Sequence, residues 1–457
     1  MLERAQSRID SWRLRLSSAG EPRESGAPDG RCVPGRSPLT PESTSTPRGR
    51  EAVRDVLRNR NFRLLLVGQL LSEVGSQSLL VVVLTLVSGF STSAVAISIP
   101  AVLSAVPRLA FGLVGGVMAD RWNRKRTIVG ADLLRALIVP VLLFVRTAEQ
   151  LWLLYAVAGA LALVAAFFYP ARNAVVPQLV PPEHLLAANG LIQGSYVFAL
   201  IVGSALAALA LDFWIPLALF VTSAAYLASV LCVSAVPIPG MLARSGATTG
   251  TAVWEDMRGG LRFIRGHPLL IRVLAVAGGA TLGLGTIAAL AVPHLKGELG
   301  GGGLEFGMAM GMLGVGSVLG ALLAGLLSRQ VSTGSMVSGM LLLAGGAIAA
   351  FAYAESYAVV LASVAVVGAC VVIARGALDA LSQALSPDEM CGRVQAAISV
   401  LVIGGMAMAE GLSGILGDLL TVKAVIIAAG LITGLTGVGA MLILHGKAGI
   451  VAAARAR

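Results

Sequence analysis

Charge is what this chain has least of. Only 13% of its 457 residues are Asp, Glu, Lys or Arg, about half the share usual in soluble domains. With 56% hydrophobic residues and a mean hydropathy of +0.84, it has more apolar surface than a water-soluble core can hide. Aromatics are scarce at 5%, which leaves room between small side chains. The four cysteines, at 32, 232, 370 and 391, are scattered without metal-ligand spacing, and they support no disulfide framework. His184, His267, His294 and His445 fall at expected helix ends or in loops. There is no HExxH pair, Walker loop, activated Ser or Cys constellation, or clustered carboxylate site. Those absences argue against a membrane enzyme and against nucleotide-driven work, and no cofactor or metal is expected.

What the chain has is long apolar runs. A hydrocarbon core about 30 Å thick takes about 20 apolar helical residues to cross. Twelve stretches qualify, near 62–88, 94–118, 127–145, 151–170, 186–210, 213–236, 269–293, 304–327, 333–353, 357–377, 395–418 and 420–444. The expected fold class is therefore an all-α integral membrane protein with twelve transmembrane helices. The net charge of +10 would suggest nucleic acid in a soluble protein, but here it reads as cytoplasmic loops, and no nucleic-acid partner is expected. After residue 63, and leaving aside Arg108 and Arg135, sixteen basic residues fall in the even-numbered connections, central loop and C-terminal tail. Three (Arg146, Lys296, Lys423) fall in the odd-numbered ones. Such a bias puts both termini in the cytoplasm of a cell-membrane protein.

The chain also repeats. Gln178-Leu179-Val180-Pro181-Pro182-Glu183 echoes Gln383-Ala384-Leu385-Ser386-Pro387-Asp388, as parallel repeats predict, with a binding site between the halves. The expected divisions are a disordered cytoplasmic tail (1–55), a six-helix half (56–236), a cytoplasmic linker with an amphipathic helix (237–268), a second six-helix half (269–447) and a short tail (448–457). Leu2, Ala5, Ile9, Trp12 and Leu16 form one stripe of a basic amphipathic segment suited to an anionic leaflet; a dispensable extension is the alternative. Trp254, Met257, Leu261 and Ile264 share a face in the linker.

The densest charge lies between the second and third runs, as Gly116-x3-Asp120-Arg121-x-Asn123-Arg124-Lys125-Arg126. This loop resembles the signature of the major facilitator superfamily (MFS). Asn123 stands where that family usually has glycine, and asparagine tolerates a left-handed backbone. Residues 61–69, 169–181 and 254–268 are similar to the branch that contains enterobactin exporters and macrolide-efflux proteins. The resemblance implies a secondary transporter, with Gly116, Asp120, Arg121, Arg124, Lys125 and Arg126 in a conformational latch, and with Asp120 meeting the N-terminus of the eleventh helix. It favours efflux of a drug, siderophore or other amphipathic small molecule by a monomeric, proton-driven antiporter. On the fifth helix the family's exporters often carry Gly-Pro-x-x-Gly-Gly, but here Gly203-Ser204-Ala205-Leu206-Ala207-Ala208 keeps only the first glycine. Uptake by symport or facilitation therefore stays open, as does a transport-inactive sensor.

Ionisable groups inside a bilayer are costly and normally face a cavity or a partner. Glu73 and Arg108 fall at similar depths, roughly 15–17 Å from the cytoplasmic surface, so they could pair, either as a proton-exchanging site or as a permanent tie. Gln69, Ser76 and Gln77 share the stretch with Glu73. Asp132 and Arg135 are one turn apart and read as an ion pair supporting the signature loop. Glu410 is the strongly ionisable residue well inside the second half, a candidate for proton or cation recognition or a hydrogen-bonded structural acid. The glycine run 311–320 reads as a helix contact surface.

Overall fold

A computed structural model describes residues 49–121, 123–237 and 250–444, with the backbone alone for 49–50, 108, 111–121, 250–257, 329, 388–389 and 391–392. Among these, the chain is helical throughout. A short α1 (Gly49–Arg58) precedes α2 (Arg60–Phe90), α3 (Ala94–Arg121), α4 (Arg124–Ile138), α5 (Leu151–Leu179), α6 (Leu185–Phe213) and α7 (Ile215–Ser234). Helix α8 (Gly250–Gly266) follows, and then α9 (Pro268–Leu299), α10 (Gly303–Gln330), α11 (Thr333–Ala352), α12 (Tyr357–Leu385), α13 (Asp388–Leu419) and α14 (Val422–Leu444). Eleven of the described helices are long and apolar enough to cross a bilayer, and α3 carries a shorter apolar stretch, Ala94–Pro107.

Packing is pseudo-two-domain. Helix α2 packs on α6 and α7, and α4 on α5 and α7. In the second group α11 packs on α12 and α14, and α9 on α13 and α14. The groups meet mainly along α3–α13 and α6–α10. This seam is tight near residues 91–93 and 300–302. A Cβ on Gly417 would stand 2.9 Å from that of Ala94, and one on Gly307 2.8 Å from the Ser204 carbonyl. It slackens toward the opposite end, where a Cβ on Gly404 would stand 4.0 Å from the Leu109 side chain, and one on Gly190, Gly194 or Gly325 would meet nothing within 4 Å.

Several elements depart from the sequence expectation. Residues 49–55, assigned to the tail, belong to α1, because Ala52 and Val56 lie one turn apart and both are buried. The third run is α-helical only to Ile138. Pro140 lacks an N–H, and residues 139–144 tighten into a 3₁₀ turn. Helices α5 and α12 continue eight to nine residues past their expected ends. Helix α5 carries Pro170 and Pro177 within it, a kind of break that packed membrane helices tolerate. His294 is not at a helix end. It is buried inside α9, with Nε2 3.1 Å from the Phe351 carbonyl oxygen. The glycine run does serve contact: methyl groups on Gly316 and Gly320 would run into the Ala365 and Ala369 carbonyls of α12.

Helix α8 docks on α13. Ile264 is buried among Leu270, Val394, Ala397 and Ile398. Trp254 and Met257, expected on the same face, lie outside the described side chains. The docking depends on Gly260, where a Cβ would be 2.5 Å from the Arg393 carbonyl oxygen. Gly260→Leu is expected to lift α8 from α13, exposing a protease site between residues 250 and 268 that limited trypsin digestion detects. An unchanged digestion pattern would contradict this packing. The N-terminal segment 1–48, including the amphipathic stripe, lies outside the described residues.

Candidate functional site

Two buried acid–base clusters occupy the first helical group. In the first, Glu73 of α2 is only 2% exposed. Gln69, one turn earlier, donates from Nε2 to Glu73 Oε1 at 2.7 Å, and the Tyr169 hydroxyl donates to Oε2 at 3.4 Å. The cation beside it is Arg172 of α5, whose Nη1 is 3.7 Å from Oε1. Arg172 also lies over the Tyr169 ring at 5.2 Å and bonds Asn173 Oδ1 through Nε and Nη2. The side chain of Arg108, the partner expected from sequence, lies outside the described residues. The apolar run ends at Pro170, so the sequence alone places Arg172 in a connection, whereas the helix carries it on toward Glu73. The signal was present in Tyr169-Pro170-Ala171-Arg172, one helical turn from tyrosine to arginine.

The second cluster is Asp132 and Arg135 of α4, 1% and 2% exposed. Asp132 accepts from Ser72 of α2 at 2.9 Å, Ser229 of α7 at 2.7 Å and Arg135 Nη1 at 3.1 Å. Arg135 is sandwiched by Phe168 at 4.4 Å and Tyr226 at 5.7 Å. This satisfied cluster ties α2, α4, α5 and α7 together, and Arg135 also reaches the cavity described next. Every polar atom of Asp132 has a partner, the condition under which a buried charge is tolerated.

Between the two helical groups lies a cavity of about 510 Å³, a size usual for sites that take drug-sized ligands. Its walls differ. The first group contributes most of the polar groups, Ser76, Gln77, Ser104, Tyr169, Tyr196, Tyr226 and Arg135, set among leucines, alanines and Val83. The second contributes Leu284, Ile287, Phe306, Met310 and Met406, with Glu410 as its acid. Gln77 and Glu410 are largely buried at 8% and 7% exposure. Glu73 sits behind this lining, hydrogen-bonded to cavity-lining Tyr169.

Gly203 sets the distance between α2 and α6 here. A Cβ on it would lie 2.6 Å from the Val74 carbonyl oxygen, and its own carbonyl accepts from Ser78 Oγ at 2.8 Å. This explains why the first glycine of the fifth-helix pattern persists. Gly203→Leu is expected to push α6 off α2, costing about 1–3 kcal/mol through overpacking. Melting in detergent micelles checks it, and a stability equal to the parent protein would contradict the close approach.

Two cations of the charged loop have described side-chain contacts. Arg124 Nη1 donates to the Ala174 carbonyl of α5 at 2.9 Å, and Lys125 Nζ to the Ser234 and Val236 carbonyls at the end of α7 at 2.6 and 2.7 Å. Both contacts lie within the first group. Asn123 is extended (φ −65°, ψ 107°), not left-handed, and its side chain caps α4 by accepting from the Arg126 N–H at 3.1 Å. Asparagine therefore serves as an N-cap. Of Gly116, Asp120 and Arg121 only the backbone is described.

The same bundle occurs in solved structures. A variant of the nucleoside transporter NupG aligns with a TM-score of 0.67 at 14% identity, covering 84% of this chain and 99% of that one. A bacterial homologue of the iron transporter ferroportin, in an inward-facing state, aligns at 0.66 with 17% identity, covering 83% and 98%. These likenesses show the fold alone. The model of the transmembrane secretion effector family matches residues 55–448, and the chain belongs to that family.

Among curated relatives, macrolide efflux protein A of Streptococcus pyogenes is 34% identical over 155 residues, 34% of this chain and 38% of that protein. The chain thus matches well under half the length of that relative. The multidrug efflux pump Tap of Mycolicibacterium fortuitum is 27% identical over 364 residues, 77% of this chain and 87% of the pump. An uncharacterized MFS-type transporter of Bacillus subtilis, YkuC, is 24% identical, covering 79% and 86%.

Proposed function

We propose that the protein is a twelve-span, proton-coupled exporter of an amphipathic small molecule carrying a basic group, working by alternating access between two six-helix halves. The observation that carries this reading is the two-sided cavity with Glu73 immediately behind it. The tyrosines, Ser76 and Gln77 suit a cargo's hydrogen-bonding end. The aliphatic lining on both sides suits its body, and Glu410 suits a cationic group.

Glu73 is the proton carrier. Unprotonated, it is held by Arg172 and Gln69; protonated, it releases Arg172, and the Tyr169 hydroxyl communicates the change to the cavity wall. One charge crossing 100 mV is worth about 2.3 kcal/mol, enough for a roughly fifty-fold gradient, since about 1.4 kcal/mol is tenfold. The distribution of basic residues supports cytoplasmic termini, so that the tight end of the seam faces outward and the slack end inward. Asp120 and Arg121 close the inward end in the opposite state, with Asp120 at the N-terminus of α13. The similarity to Tap over 77% of this chain supports export, and the shorter match to macrolide efflux protein A supports an antibiotic-like cargo.

Accumulation of a fluorescent lipophilic amine in cells tests direction. Expression is expected to lower it several-fold, with a protonophore abolishing the difference. Raised accumulation on expression would mean uptake and would overturn export.

A further inference from the structure

We propose that Asp418 and Lys296 form a clasp that holds the bundle shut at the end carrying residues 91–93, and that the cavity opens there only when the clasp breaks. The proposal rests on the alternating-access reading for its role in the cycle, but its contacts are independent of cargo and coupling.

Asp418 lies in the last turn of α13, in the second group, and reaches across to the N-terminus of α3 in the first. Its Oδ1 accepts the Ala94 N–H at 2.6 Å; its Oδ2 accepts the Ser93 hydroxyl at 2.5 Å and the Val95 N–H at 3.3 Å. The first N–H groups of any helix lack partners within it. Here Ser93 Oγ takes the Ala96 N–H and the Ser93 carbonyl takes that of Ile97, so the two remaining donors depend on an acid from the other helical group. Gly414 and Gly417 let α13 come that close: a Cβ on Gly414 would meet the Ser98 side chain and stand 3.2 Å from the Ala94 carbonyl oxygen.

Lys296 does the converse at the same end. Near the C-terminus of α9 it donates from Nζ to the Ser88 carbonyl, among the last carbonyls of α2. The second group therefore places an anion on a helix N-terminus of the first and a cation on a helix C-terminus. Both are the favourable sense for the helix dipole, and both are charge-assisted hydrogen bonds. Neither contact can persist if the two groups separate at this end. Asp418 also stands in reciprocal relation to Asp120: each acid ends one of the pair α3 and α13, and the role proposed for Asp120 is to meet the N-terminus of the other.

Double electron–electron resonance on the full chain, with native cysteines replaced and spin labels on Thr147→Cys and Glu355→Cys, reads the separation at this end without cargo or a gradient. The parent protein is expected to give a single short distance. Asp418→Ala should add a longer component, shifting the closed-to-open ratio by about tenfold or more. Lys296→Met should shift it in the same direction by less. Should Asp418→Ala fail to fold, Asp418→Asn, which keeps one acceptor, is expected to show an intermediate shift. Superimposable distances for parent and Asp418 variants, in a protein whose parent form opens when a lipophilic amine is added, would overturn the clasp alone. Distances fixed short in parent and variants under every condition would overturn both the clasp and alternating access.

Discussion

Asp132→Ala is expected to destabilise the bundle by about 3–5 kcal/mol, the range for removing one partner of a buried ion pair. The substitution strands Arg135, 2% exposed between Phe168 and Tyr226, and takes acceptors from Ser72 and Ser229. Four helices lose their common tie at once. The double substitution Asp132→Leu with Arg135→Met is expected to recover much of the loss, because no uncompensated charge remains. Equilibrium unfolding in mixed micelles measures both variants. A single-variant loss below about 1 kcal/mol, the scale of exposed pairs, would show that water reaches Arg135 and that the cluster is not sealed.

Glu73→Gln is expected to abolish proton-driven accumulation while leaving the fold intact. The amide keeps the shape and an acceptor for Gln69 but cannot release a proton. A gradient of roughly fifty-fold at 100 mV should collapse to equality, with downhill exchange of cargo continuing. Arg172→Met should behave differently. It removes the cation 3.7 Å from Glu73, to which the carboxylate returns once its proton has left, so transport slows while a gradient above equality is still reached. Transport ratios measured in vesicles at several external pH values separate the two variants. Equal ratios for Glu73→Gln and the parent protein would remove Glu73 from the coupling step.

Much of the fold was legible because membrane helices advertise themselves locally. Apolar runs locate the described spans to within a few residues, except where a charge or proline interrupts the run inside a helix. Pro170 is the instructive case. In water it would stop a helix, but in α5 its lost hydrogen bond is tolerated and the helix runs on to Leu179, carrying Arg172 inward to Glu73. The partnership depends on two residues ninety-nine positions apart, which no local pattern reveals. Glu73, Gln69, Gln77 and Glu410 could be picked out because polar groups are rare inside apolar runs, and all four are buried. Lys125 reads simply as a loop charge until α7 ends beside it, and Asn123 as a glycine substitute until its side chain is seen to cap α4. Asp418, at the margin of a span, looks like an ordinary interfacial charge. Only the seam between α3 and α13 shows what it caps.

The central claim is that cargo leaves in exchange for a proton carried by Glu73, and substrate-induced proton movement in proteoliposomes tests it most directly. Lipophilic amines, macrolides and siderophores would be added in turn to vesicles containing the parent protein or Glu73→Gln. The account predicts proton flux evoked by one class of basic amphipathic compound and absent from the variant. Cargo counterflow without any proton flux in the parent protein would make the transporter a facilitator and contradict the account.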